Sequence, residues 1–164
     1  MAINQFTVDR LSVVSPKPFA DVVAAIEAAV GHPDMRAFSK DLASATNLQE
    51  LEKTVQTAIG PSGFMEFMRF DHGQFLEIAQ GAKGPKILRL VVGNPLIMKQ
   101  MAEHVPDTAS YAPVTILIDE REDGVHLTYD LMASFLAPYG NLAALKVARD
   151  LDAKVQALLT AAAS

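Results

Sequence analysis

The chain carries two apolar runs, residues 114–119 and 125–130, separated by an acidic turn that ends in Asp123-Gly124. Asp-Gly between strand-like runs is a strong hairpin signal, because both residues tolerate the backbone angles of a tight turn. An antiparallel pair of strands is therefore fixed early, and the other elements have to be read as its surroundings.

Residues 6–14 alternate and then turn apolar, which predicts a strand ending at Ser15-Pro16. Serine before proline is an N-cap and first-turn signature. Phe19, Val22, Val23, Ile26 and Val30 follow at helical spacing, and Gly31-His32-Pro33 ends that helix. Residues 34–60 read as two short helices. The first carries Met35, Phe38 and Leu42, and the second opens on a Thr46/Gln49 capping box and carries Leu48, Leu51, Val55 and Ile59. Residues 64–70 and 86–92 are largely apolar and predict two buried strands. A short helix over 71–79 lies between them, and Asn94-Pro95 starts another that carries Leu96, Ile97 and Met101. A polar loop covers 105–113. From Asn141 onward Leu142, Leu145, Leu151, Val155, Leu158 and Leu159 mark a long amphipathic helix, with Lys146, Arg149, Asp150 and Lys154 toward water. The whole reads as one α+β domain over residues 1–164: a small mixed sheet of about five strands with helices packed on it.

With 164 residues, half of them hydrophobic, one core needs no covalent staple. There is no cysteine, which excludes disulfides, thiolate chemistry and thiolate-bound metal, and fits a reducing, cytoplasmic setting. The first ten residues hold no apolar run of signal-peptide type, and no stretch reaches the roughly 20 apolar residues of a membrane span. A net charge of −5 with no run of Lys or Arg argues against nucleic acid and against an anionic membrane.

Chemistry-bearing residues concentrate in Asp71-His72 and Gly93-Asn94-Pro95. Each segment ends a strand and opens a helix. If the two strands are parallel neighbours, both steps lie at one sheet edge, where α/β proteins tend to bind ligands and where free N–H groups favour an anion. The bland reading is also available: Asp71 and Asn94 are good N-caps, Pro95 suits a first helical turn, and Gly93 allows a turn. Capping does not require His72, which could add a proton donor or acceptor.

The segments Asp71-His72 and Val92-Gly93-Asn94-Pro95, followed by the hairpin ending in Thr128-Tyr129, resemble the domain of unknown function 302 family over about residues 62–160. The resemblance implies an α+β fold, a homodimer and no settled activity. The family pattern falls on Asp71, His72, Gly93, Asn94, Pro95 and Tyr129. Against that pattern residues 34–60 look like a helical insertion, Tyr111-Ala112-Pro113 replaces the usual approach to the hairpin, and Asp130 follows the tyrosine.

Three functions are then open. A binding module would hold a small anionic ligand or a protein partner through Asp71, His72, Gly93, Asn94 and Tyr129. An enzyme would use His72 as general acid/base, with Asn94 and Tyr129 as hydrogen-bond donors. A metal site would combine His72 with carboxylates. No dedicated metal motif and no cofactor fingerprint is present. His104 reads as a helix-end cation and His126 as a residue on the less buried side of the hairpin. Glu120, Glu122 and Asp123 read as a solvated turn.

Overall fold

The computed structural model describes residues 1, 3 and 5–164. In chain order the elements are β1 (Arg10–Ser15), α1 (Phe19–Ala29), α2 (Met35–Ser44), α3 (Leu48–Ala58), β2 (Met65–Asp71), α4 (His72–Gln80) and β3 (Ile87–Gly93). Then come α5 (Pro95–Ala102), a 3-10 turn (Pro106–Ser110), β4 (Val114–Arg121), β5 (Gly124–Asp130), α6 (Met132–Leu136) and α7 (Leu142–Ala163). The fold is α+β. Its five strands form one sheet in the order β1-β5-β4-β3-β2.

The hairpin forms as its sequence dictates. Arg121 pairs with Gly124, and Gly124 has φ +137°, a conformation that favours glycine. A Cβ there would also lie 2.6 Å from the Ser15 carbonyl oxygen, so the turn can tuck against β1 only without a side chain. Leu90, Ile116 and Tyr129 form one cross-strand row, and Leu88, Ile118 and Leu127 another. These rows face Val22 and Ile26 of α1, Met101 of α5 and Ala148, Leu151, Val155 and Leu159 of α7 in one buried cluster. The alternate residues Arg89, Thr115, Leu117 and Thr128 point to the face without that cluster. A smaller cluster of Phe38, Val55, Ala58 and Met65 ties α2 and α3 to the start of β2.

Every strand pairing is antiparallel, so the sheet is not mixed; the parallel contact recorded among the described residues is a single bridge between Gly31 and Met65. β2 is an edge strand, and Met68 and Phe70 are exposed rather than buried. β1 begins at Arg10, later than expected, because Phe6 packs edge-on against Tyr111 and Phe135 instead of joining the sheet. Ser15 does not cap α1, which begins at Phe19. Its buried hydroxyl donates to the Ala163 carbonyl at 2.7 Å and fastens the end of α7 to β1. The box at α3 sits one residue later than read: Asn47 accepts from the Glu50 N–H, and the Glu50 carboxylate accepts from the Thr46 N–H.

Candidate functional site

The antiparallel pairing of β2 and β3 separates the two suspected segments. Asp71 lies opposite Leu88 and Gly93 lies opposite Met65, at the two ends of the strand pair. The five steps of β3 between Leu88 and Gly93 span about 17 Å. His72 and Asn94 therefore do not share a pocket, and the acid/base arrangement joining His72 to Asn94 and Tyr129 is not assembled.

At the first end Asp71 caps α4, its carboxylate accepting from the Gln74 N–H at 2.8 Å. Gly81 closes the same helix in the left-handed conformation. His72 is the first helical residue; it is exposed, and its ring stacks on Phe70 at 5.9 Å. The shallow hollow beside it is bordered by Asp71, Glu77 and Lys86, a surface with more negative than positive charge. Among the described residues no group of three or more His, Asp or Glu is placed to hold a metal ion.

At the other end Asn94 uses both parts of its amide within the protein. Its oxygen accepts from the Leu96 N–H at 2.9 Å, and its nitrogen donates to the Gly63 carbonyl at 2.9 Å. Pro95 occupies the first helical turn, where it lacks the N–H that would otherwise need a partner. The helix start that was expected to welcome an anion is thus largely satisfied. Gly93 serves packing rather than turn geometry: a Cβ would lie 3.1 Å from the Pro113 side chain.

These three residues instead form one wall of a half-enclosed cleft of about 250 Å³. Phe38 and Leu42 of α2 also line it, with Phe67, Met98, Pro113 and Leu151 among the other apolar residues. Phe67 is the extra residue of a β-bulge: Glu66 pairs with Val92 and Met68 with Val91, leaving no partner for the residue between. Bulges re-aim side chains, and this one turns an aromatic ring into the cleft. No charged side chain lines it, and its one polar side chain is Asn94, whose amide oxygen and nitrogen each already bond within the protein.

Tyr129 is nearly inaccessible, and its hydroxyl donates to the Asp152 carboxylate at 2.7 Å. Burial first, and the Asp152 charge second, push the phenol well above its ordinary range and keep it protonated. Asp152 also accepts from the Met132 N–H at 2.8 Å and the Ala133 N–H at 2.9 Å, so one buried carboxylate caps α6 and fixes the tyrosine. Sequence reasoning missed Asp152. The available signal was an acid in step with Ala148, Val155 and Leu159 on the apolar stripe of α7.

Asp130 points to the opposite face and pairs bidentately with Arg10, at 2.6 and 2.9 Å. That partnership holds its carboxyl below the usual carboxylate range. The pair stands on the rim of a larger basin of about 480 Å³. Of the remaining histidines, His32 lies with Nε2 3.0 Å from the Glu27 carbonyl oxygen, and the buried Nδ1 of His126 has no hydrogen-bond partner among the described residues. His104 follows α5 and lies 3.9 Å from Glu103, whereas His126 is buried, with Nε2 2.8 Å from Asp123. Glu120 accepts from the Lys86 N–H, which ties the acidic turn to β3's approach.

The architecture defines a two-layer α+β protein: an antiparallel sheet with its apolar helices on one face. Residues 39–162 match the model of the family described as Domain of unknown function DUF302, and the chain belongs to that family. The match starts inside α2 and so spans most of the stretch read as an insertion. The fold is similar to that of a crystal structure of an uncharacterized conserved DUF302 protein from Bacillus stearothermophilus, with a TM-score of 0.64 at 13% identity, covering 93% of this chain and 97% of that one. No curated protein matches the sequence. No helix among the described residues is long and apolar enough to cross a membrane.

Proposed function

We propose that this chain is a non-catalytic binding module whose ligand site is the cleft at Gly93, Asn94 and Pro95, and that the ligand there is a small uncharged apolar molecule. The observation that carries this reading is the cleft's lining, which offers aromatic, aliphatic and thioether groups and no unpaired polar side chain. Apolar pockets of about 150 Å³ accept benzene, so a cleft of about 250 Å³ suits a molecule of roughly ten non-hydrogen atoms. Helix α2, the first of the two helices at 34–60, gains a purpose in this reading, because Phe38 and Leu42 supply one side of the cleft.

Indole and naphthalene are suitable probes. The expected result is saturable shifts in backbone NMR signals of α2 and α5 with the wild type, and their loss in Leu42→Trp, whose added ring fills the cleft. Equal binding by Leu42→Trp would refute the location. The cytoplasmic setting belongs to the same proposal, supported by the lack of cysteine in a chain of 164 residues.

A second reading, a protein partner or homodimer, has its own observation. Phe75 is 71% exposed and Ile78 77% exposed, three residues apart on one face of α4 beside the edge strand β2. Sedimentation across a concentration series tests it: a dimer that dissociates in Phe75→Glu/Ile78→Glu supports this face, and a monomer throughout rejects it.

A further inference from the structure

The sheet face that the helices leave open holds the larger basin of about 480 Å³. Arg89, Leu117 and Thr128 cross it as one row of β3, β4 and β5. The four strand arginines differ in one respect. Arg10 is paired with Asp130, Arg69 with Glu66 and Glu27, and Arg121 with Asp119. Arg89 has no carboxylate within 4.0 Å among the described residues.

Its guanidinium is nevertheless held. Nη2 donates to the Thr115 hydroxyl at 3.3 Å, and the group lies 5.7 Å from the Phe70 ring centroid on the edge strand. That leaves most of its N–H fork available, in a geometry suited to two oxygens of one anion. The hydroxyls of Ser110, Thr115 and Thr128 line the same basin. One wall is apolar: Tyr111 and Phe135 stack with centroids 4.9 Å apart, and the Tyr111 hydroxyl is already bonded to that of Tyr139. The carboxylate on the rim, Asp130, is neutralised by Arg10.

We propose that Arg89 anchors a second site, on the open face of the sheet, for a small organic anion: a carboxylate or phosphate head on a compact apolar body. The head meets the guanidinium and the threonine hydroxyls, and the body packs on the Tyr111–Phe135 wall. A chain of formal charge −5 repels anions at long range, so binding at this site has to come from local groups. The site is separate from the cleft at Gly93, and each proposal can fail without the other.

The test is isothermal titration at low ionic strength with benzoate, phenyl phosphate and inorganic phosphate, on the wild type, Arg89→Met, Arg89→Lys, Asp130→Asn and Leu42→Trp. The expected result is saturable binding of at least one aromatic anion, weakened about tenfold or more in Arg89→Met and less in Arg89→Lys. Asp130→Asn frees Arg10 and tightens binding, and Leu42→Trp leaves it unchanged. Far-UV circular dichroism checks that each variant is folded. Benzoate against phenyl phosphate distinguishes the two heads, and inorganic phosphate tests the need for an apolar body. Undiminished affinity in folded Arg89→Met overturns the proposal, as does the absence of saturable binding of all three anions to the wild type at about 10 mM.

Discussion

Replacing Asp152 by alanine removes the acceptor of three hydrogen bonds at once, from the Tyr129 hydroxyl and from the Met132 and Ala133 N–H groups. The two N–H groups open α6, so their loss resembles deletion of an N-cap, about 1 kcal/mol. The phenol is buried and would be left without an acceptor, which costs about 1–3 kcal/mol. Together these give about 3 kcal/mol, or a melting-temperature drop of about 6–12 °C for a chain of this size. Tyr129→Phe leaves Asp152 with both backbone donors and costs about 1 kcal/mol. If the groups act as one network, the double variant Asp152→Ala/Tyr129→Phe loses less than the sum of the single changes, because the orphaned hydroxyl is gone. Calorimetry on the four proteins decides the matter. A drop below about 2 °C for Asp152→Ala, or strict additivity in the cycle, would refute the reasoning. The same set separates structure from function at Tyr129, since Tyr129→Phe should bind indole and benzoate as the wild type does.

Asn94→Ala removes the cap on Leu96 and the tie to Gly63 and is expected to cost about 1–2 kcal/mol in thermal unfolding; ligand loss without destabilisation would instead mark Asn94 as a direct contact. Gly124→Ala forces a side chain into φ +137° and against the Ser15 carbonyl, with an expected cost of at least about 1–3 kcal/mol, read as a lower denaturation midpoint with an unchanged slope. The Arg10–Asp130 pair sets a pH dependence whose sign follows from Asp130. Its folded-state pKa lies below its unfolded value, so its stabilisation is present above about pH 4 and lost as pH falls through the depressed value. The pair is partly exposed and worth less than about 1 kcal/mol. The melting temperatures of wild type and Asp130→Asn should therefore differ slightly at neutral pH and converge in acid; a gap that persists at the acid end contradicts the assignment.

Legibility in the sequence followed locality. Asp123-Gly124 specified its hairpin, and Asn94-Pro95 and Asp71 their helix starts, because each signal acts over two to four residues. The long α7 was legible from its apolar period, although Leu142 proved exposed and Asp152 buried. What failed depended on distant partners. Ser15 looks like a cap, but the hydroxyl is taken by Ala163, at the far end of the chain. The apolar run at 64–70 looks like an interior strand, but Met68 and Phe70 stand opposite Val91 and Arg89 on the sheet face that no helix covers, which leaves them open to water. Arg89, unremarkable in sequence, stands out once the other strand arginines are seen to be paired.

The deeper reason for the split between Asp71-His72 and Gly93-Asn94-Pro95 is that a strand-step-helix pattern carries no direction. Two such units in succession look alike whether their strands run parallel or antiparallel. A parallel pair needs a crossover that returns the chain to its starting end, whereas an antiparallel pair needs only a connection at one end. Here the nine-residue α4 and its following turn join the strands at one end, with Gly73 close against the start of β3. Once this is set, the two helix starts must face opposite ways, and each satisfies its own free groups with its own cap. The polar chemistry that drew attention to both steps is consumed in building them. Recognition is left to the surfaces those steps create: an apolar cleft behind Gly93, and an uncovered sheet face on which Arg89 has no carboxylate partner among the described residues.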